Sequence, residues 1–347
     1  MPTPTAPPTS KRRAAAAVLY VALALAAFVA TSRALAELMP RHVPAVDVKR
    51  DYFAAHKDEY TAVYIGTSMI HRHIVPAELP ERSFNFGVAR MTFAEASVLL
   101  DWIVSLRPAR LERVVIDAHL FTDSGELNHF SARHIWWHTP RETLGAVQRA
   151  VRAASWSAGL DVASIQVDIK ALLINLTATG RAADAFRLAW DPKHIEPDID
   201  DVPIDADGFR AIEELGDAIH IKRHREYLRT ASKLTAEAKQ RGAKHRRIGA
   251  YEAGRLEQMI ERAHAAGLSP LILEGPTFKT PMIFPKSLRE RARVISFNDP
   301  GKYHELFTEP YRHDIGHLNA NGARWLTRAL APLLAADGQA PSPDDGP

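Results

Sequence analysis

The chain has no cysteine among its 347 residues, which excludes disulfides, thiolate nucleophiles and Cys-ligated metal. It also lacks charge of one dominant sign. Its 44 Lys and Arg stand against 41 Asp and Glu for a net +3, and the basic residues are spread along the chain. No stripe for a phosphate backbone results, and nucleic acid is not an expected partner. No P-loop, dinucleotide glycine fingerprint or H-E-x-x-H zinc motif occurs. The pairs His71 and His73, His134 and His138, and His313 and His317 have spacings that suit a metal, but each lacks a nearby third ligand, so no metal and no cofactor are expected.

What is present is the composition of a folded globular protein, 46% hydrophobic and 24% charged, with enough length for one large domain or two small ones. Near the start, Lys11, Arg12 and Arg13 precede a stretch without charge, Ala14 to Ser32. As a helix these residues would span roughly 28 Å, close to the hydrocarbon thickness of a bilayer. The expectation is a cytoplasmic segment over 1–13, one transmembrane anchor over 14–36 and everything after Arg33 outside the cytoplasm. A cleaved signal peptide ending near Ala34-Leu35-Ala36 is the competing reading, although the run exceeds the usual apolar core of about 7–15 residues.

Beyond a short linker, Val48 to Tyr60 reads as a charged helix leading into the apolar strand Ala62 to Ile65, which Gly66 interrupts. Further strands are expected at Ser83 to Phe86, Val114 to Ile116, Pro270 to Leu273 and Val294 to Phe297. Helices are expected at Thr92 to Leu106 and Gly254 to Ala266. Short apolar strands alternating with helices indicate an α/β sandwich, a mainly parallel sheet covered on both faces. Between about 124 and 247 the pattern becomes helical, at Thr143 to Ala154, Val162 to Thr177 and His220 to Arg241, and reads as an insertion. Within it, Asp191 to Asp207 holds seven acidic residues and three prolines and reads as a solvated loop, because the spacing around Asp205-Ala206-Asp207-Gly208 does not fit a calcium site. Trp136-Trp137-His138 reads as core packing, with a sugar-stacking lip as the alternative. Residues 335–347 form a polar tail.

Two segments carry chemistry. Gly66-Thr67-Ser68 follows a strand directly, which puts the serine hydroxyl at the carboxyl edge of the sheet, where open α/β sheets bind ligands. Near the end, Asp314 and His317 lie three residues apart, just before a helix whose Leu326, Leu330 and Leu333 recur at helical spacing, with Asn319 as its expected N-cap. A carboxylate there can hold imidazole Nδ1–H and leave Nε2 as a base for a serine.

Taken together, these elements resemble the SGNH (GDSL-like) hydrolase family over about 62–116 and 271–334. Gly66-Thr67-Ser68 resembles the first block, Asn85-Phe86-Gly87 the second and Asp314-Ile315-Gly316-His317 the last. The resemblance implies a three-layer α/β/α, flavodoxin-like domain over 40–334, with a helical insertion at about 124–247. It implies Ser68, His317 and Asp314 as a triad, and Gly87, Asn85 and His119 as oxyanion or substrate-binding residues. Thr67 replaces the usual Asp of the first block, and Asp117-Ala118-His119 stands where the third block carries an Asn, which leaves His119 as its substitute. Anchored relatives imply an O-acyl, chiefly acetyl, esterase or acyltransferase acting on a cell-surface polysaccharide. They would place it at the bacterial inner membrane with a periplasmic domain, and some work beside a membrane-bound O-acyltransferase. An esterase or lipase for small or lipid esters, and a non-catalytic polysaccharide-binding or assembly subunit on the same fold, remain open readings.

Overall fold

Four short segments have runs of Val, Ile and Leu at their centres, as strands do when both faces of their sheet are covered, and a fifth, Ser83–Asn85, lies at the sheet edge. The computed structural model describes residues 10–37, 45–89, 91, 93–121, 207–212, 218–241 and 245–335. The expected helices at Thr143 to Ala154 and Val162 to Thr177, the Trp136-Trp137-His138 segment, the pair His134 and His138, and residues 1–9 and 336–347 lie outside the described residues.

The strands are β1 (Ala62–Ile65), β2 (Ser83–Asn85), β3 (Arg113–Asp117), β4 (Arg246–Arg247), β5 (Ser269–Glu274), β6 (Met282–Ile283) and β7 (Arg293–Ser296). Five of them form one parallel sheet in the order β2-β1-β3-β5-β7, with Ile65 beside Ile116 and Glu274 beside Ser296. The two-residue strands β4 and β6 pair separately and in parallel. They escape a search for apolar runs, since β4 is Arg-Arg.

The helices are α1 (Ser10–Glu37), α2 (Ala45–His56), α3 (Ser68–His73), α4 (Phe93–Ser105), α5 (Ala218–Arg241), α6 (Ala250–Ala265), α7 (Lys286–Arg289) and α8 (Ala320–Ala335). Strand side chains alternate between faces, and the core divides accordingly. Val63, Ile65, Val114, Ile116 and Ile272 pack with Phe53 of α2, Leu99, Leu100 and Ile103 of α4, and Leu256 and Ile260 of α6. Ala62, Tyr64, Val115, Leu271 and Leu273 face the other way, onto Tyr227 and Ala231 of α5 and Leu326, Leu330 and Leu334 of α8. This is an α/β fold with helices flanking a parallel sheet. The innermost position of the last turn of α8 is Leu334; Leu333 packs at its margin.

α1 contains the whole uncharged run, and Val18, Leu19, Tyr20, Val21, Leu23, Leu25 and Phe28 are exposed along it. Some of its side chains, Ala14 and Ala16 among them, fall outside the described residues. Among the described residues no helix is long and apolar enough to cross a membrane.

The acidic loop ends in a contact rather than in solvent. The Asp207 carbonyl accepts the Asn85 N–H at 2.8 Å, which closes the outer edge of β2. Gly208 follows with φ +83, and a Cβ there would meet the Asn85 carbonyl oxygen at 2.3 Å.

Candidate active site

Strand order reverses between β1 and β3, and in open parallel sheets the crevice beyond such a switch point is where ligands bind. The turn after β1 delivers Ser68 there, and β3 ends nearby at Asp117. Gly66 makes the turn possible, because a Cβ would sit 2.3 Å from Asp117 Cβ and 2.4 Å from Ile70 Cγ1. Thr67 then caps α3, its hydroxyl accepting the Met69 N–H at 3.2 Å. That hydroxyl also donates to Asp117 Oδ2 at 2.6 Å, and the Thr67 N–H reaches the same oxygen at 2.9 Å. Asp117 thus anchors the turn from below, as a buried acceptor with its donors supplied.

The loop from Arg312 to Leu318 brings the other two groups. His313 and Asp314 donate their backbone N–H groups to the His317 carbonyl at 3.0 and 3.3 Å, and Arg312 bridges Leu318. Asp314 Oδ1 accepts the N–H of Gly316 at 2.7 Å and of His317 at 2.8 Å. His317 Nδ1 lies 3.0 and 3.1 Å from the two Asp314 oxygens, and Nε2 lies 2.9 Å from Ser68 Oγ. A carboxylate only accepts, so Nδ1 carries the proton and Nε2 presents its lone pair to the serine hydroxyl. Burial alone would raise the Asp314 carboxyl, but the His317 hydrogen bond and charge, together with the two backbone amides, outweigh it and hold the carboxyl well below the ordinary range. Asp314 is buried, His317 keeps 18% of its side chain exposed, and Ser68 is half-buried, so the hydroxyl is within reach of a ligand.

Three further residues hold this array; of these the sequence reading named only His73, as half of a possible metal pair with His71. Arg312, wholly buried, donates from Nε to the Asp314 carbonyl at 3.1 Å, from Nη2 to that of Ile315 at 2.9 Å and from Nη1 to that of Leu306 at 3.0 Å, with the Phe278 ring 4.5 Å away. Burial lowers its pKa to about 10, which still leaves it a cation. His73, at the end of the serine helix, accepts the Leu318 N–H on Nε2 at 3.0 Å. That bond ties the segment carrying Ser68 to the loop carrying His317 and needs a neutral ring. Burial first, and then the nearby His317 and Arg312, hold His73 well below its ordinary pKa. Thr327 of α8 completes the clamp, its hydroxyl proton shared between the Ala323 carbonyl at 2.8 Å and the His73 carbonyl at 3.2 Å while its oxygen accepts the Val75 N–H at 3.1 Å. Asn319 caps α8 as expected, its Oδ1 accepting the Gly322 N–H at 2.9 Å.

The expected oxyanion residues divide. Asn85 and Gly87 form a buried clip instead of an open donor pair. Asn85 Nδ2 donates to the Ile70 and Ile74 carbonyls at 2.9 and 2.8 Å, and its Oδ1 takes the Gly87 N–H at 2.8 Å. The Gly87 carbonyl accepts from Lys49 Nζ at 2.7 Å, and a Cβ at Gly87 would sit 2.1 Å from the His71 nitrogen. The N–H of Gly87 is therefore committed to Asn85 and its carbonyl to Lys49 of α2, and the reading of its N–H as an oxyanion donor is corrected. The Ser68 N–H has no hydrogen-bond partner among the described residues. His119 stands at the same sheet edge, its N–H and Nδ1 at 2.8 and 3.0 Å from Asp117 Oδ1. Asp117 is held low: burial would raise it, and the bonds from His119 and Thr67 more than compensate.

Among the described residues no group of three or more His, Cys, Asp or Glu side chains is placed to hold a metal. Comparison with protein-family models, curated proteins and solved structures returns no match.

Proposed function

We propose that the chain is a serine-dependent O-acyl esterase or acyltransferase of the SGNH type, a three-layer α/β/α domain acting on acyl, chiefly acetyl, esters of a cell-surface polysaccharide. One observation carries the chemistry: a hydroxyl, an imidazole and a carboxylate, from residues up to 249 positions apart, aligned at 2.9 and 3.0 Å. In this reading His317 Nε2 takes the Ser68 proton as Oγ attacks the acyl carbonyl, and Asp314 stabilises the imidazolium. The Ser68 N–H donates to the developing oxyanion. His119, at the same sheet edge with Nδ1 turned to Asp117, is the second group proposed to face the oxyanion. His317 then returns its proton to the leaving sugar oxygen, and water or an acceptor hydroxyl releases the acyl group from Ser68.

The basic cluster and uncharged run of 11–32 support an anchor in the cytoplasmic membrane with the domain outside, beside a membrane-bound O-acyltransferase as acyl source. Acetate release from an acetylated polysaccharide tests the activity. Wild type releases acetate and Ser68→Ala does not; equal release by the two variants removes the proposal. Retention of the full chain in membranes after alkaline carbonate extraction tests the anchor, and release into the supernatant refutes it.

A further inference from the structure

The turn before the triad loop and the helix after it face each other across a cleft. Its cavity, about 660 Å³, is lined by Pro310, Tyr311, Asn321, Arg324, Trp325 and Arg328. That volume falls within the range of small-ligand pockets, roughly 300–1,000 Å³.

One wall is a face of α8. Asn321, Arg324, Trp325 and Arg328 recur at i, i+3, i+4 and i+7, a helical stripe separate from the core stripe of Leu326, Leu330 and Leu334. From Asn321 to Arg328 it runs roughly 10 Å, about the length of a disaccharide. The other wall is the turn Glu309–Tyr311. The walls are fastened at their base: Asn319 Nδ2 donates to the Pro310 carbonyl at 3.0 Å, and the Asn319 N–H to that of Tyr311 at 3.1 Å. Gly322 lets them close, since a Cβ there would sit 2.0 Å from the Tyr311 oxygen. The residues between the two walls include the loop that carries Asp314 and His317, so the cleft adjoins the triad through that loop.

The lining combines a fixed aromatic platform with uncommitted polar groups. Trp325 is partly buried against the core, and Tyr303 meets it edge-on at 6.4 Å, so its indole is held while part of it lines the cleft. Arg328 is also held, donating from Nε and Nη2 to the two Glu78 oxygens at 2.8 and 3.0 Å. Arg324 is looser: its one ion pair among the described residues is with the same Glu78 at 3.9 Å, beyond hydrogen-bond reach, and its side chain is 53% exposed. Among the described residues, the Arg324 guanidinium, the Asn321 amide and the Tyr311 hydroxyl have no hydrogen-bond partner. An indole can take the apolar C–H face of a pyranose, and amide, guanidinium and phenol groups beside it can take the ring's hydroxyls.

We propose that this cleft is a glycan subsite. It binds a pyranose segment of the polymer, stacked on Trp325 and hydrogen-bonded by Arg324, Asn321 and Tyr311, and so holds the chain beside the triad loop. The proposal rests on the polysaccharide-esterase reading and gives it a second point of grip, outside the reacting ester.

The test is titration calorimetry of the full chain, in a detergent without a sugar headgroup, against cellotetraose and against sorbitol, which has hydroxyls but no ring face. Cellotetraose is expected to bind at least about tenfold more tightly than sorbitol. Trp325→Ala should weaken cellotetraose binding at least about tenfold, with Trp325→Phe intermediate because a smaller ring keeps part of the stacking face. Arg324→Gln changes an exposed side chain outside the core and should weaken binding about three- to tenfold. Lys286→Gln, an exposed cation of α7 that does not line the cleft, should leave it unchanged. No binding of cellotetraose, equal affinity for sorbitol, or indifference to both Trp325→Ala and Arg324→Gln overturns the proposal. Binding needs no turnover, so failure here with Ser68 still reactive toward a fluorophosphonate leaves the esterase reading standing. Binding without that reactivity removes the esterase reading and leaves a carbohydrate-binding site.

Discussion

Asp314→Asn separates the two jobs of the triad carboxylate. Asparagine keeps a side-chain oxygen for the N–H groups of Gly316 and His317, now at 2.7 and 2.8 Å, so the loop retains its turn. What it loses is the acceptor at the Oδ2 position, 3.1 Å from His317 Nδ1. An amide NH2 in that place favours the tautomer whose proton sits on Nε2, and such a ring cannot deprotonate Ser68. The same exchange in a serine-protease triad costs about 10⁴ in kcat, which corresponds to about 5.5 kcal/mol at 1.36 kcal/mol per decade. The assay is steady-state hydrolysis of a short aryl acetate, with thermal unfolding followed alongside. The expected outcome is kcat down about 10⁴ with KM nearly unchanged, in a protein that still unfolds cooperatively at a somewhat lower melting temperature. The folded carboxyl lies below its unfolded value, so its stability contribution is present above the ordinary carboxylate range and is lost as pH falls through the folded value. The variant should therefore lose part of the acid dependence of stability. A well-folded Asp314→Asn protein with kcat within tenfold of wild type would refute the assignment of roles.

The supporting residues make further predictions. Arg312→Met strips three loop carbonyls of a buried donor and should lower unfolding free energy by about 3–5 kcal/mol in urea titration; a loss under about 1 kcal/mol would mean the loop holds itself. Arg312→Lys should recover only part of this, because an ammonium cannot span carbonyls at Asp314, Ile315 and Leu306 together. His73→Phe removes the acceptor of the Leu318 N–H and should cost about 1–3 kcal/mol, with kcat falling more than KM changes; unaltered kcat argues against the tie. The His73 pKa is depressed on folding, so the unfolded chain binds the proton more readily. Wild-type stability should be fully present above about pH 6.5 and decline as pH drops below it, and His73→Phe should flatten that decline in pH-dependent unfolding. His119→Ala should reduce kcat by about 10²–10³ if the imidazole serves the oxyanion, and an unchanged rate would remove it from that role.

What the sequence reveals follows from how local each signal is. β1, β3, β5 and β7 are legible because strands covered on both faces must be apolar at nearly every position, and Gly66-Thr67-Ser68 because the turn adjoins its strand. Asp314 and His317 are three residues apart, so their pairing is visible in the chain. His73 is not legible because its partner Leu318 is 245 positions away, and Arg312 because its partners, though close in the chain, are backbone carbonyls that no residue type marks. Asp117 carried a weak signal, a carboxylate ending an apolar strand. Asn85 and Gly87 misled because a short motif does not say where its N–H points; here Lys49, 38 residues away, and the Asn85 side chain claim the glycine. The β4–β6 pair, built on Arg246 and Arg247, has no hydrophobic pattern to read.

The most direct test of the central claim is covalent labelling by a fluorophosphonate, with the modified residue located by mass spectrometry. An activated serine predicts one adduct, on Ser68, at a rate that falls by orders of magnitude in His317→Ala while the fold is kept. Absence of an adduct in folded wild type, or labelling at Ser68 that is indifferent to loss of the His317 imidazole, would contradict it.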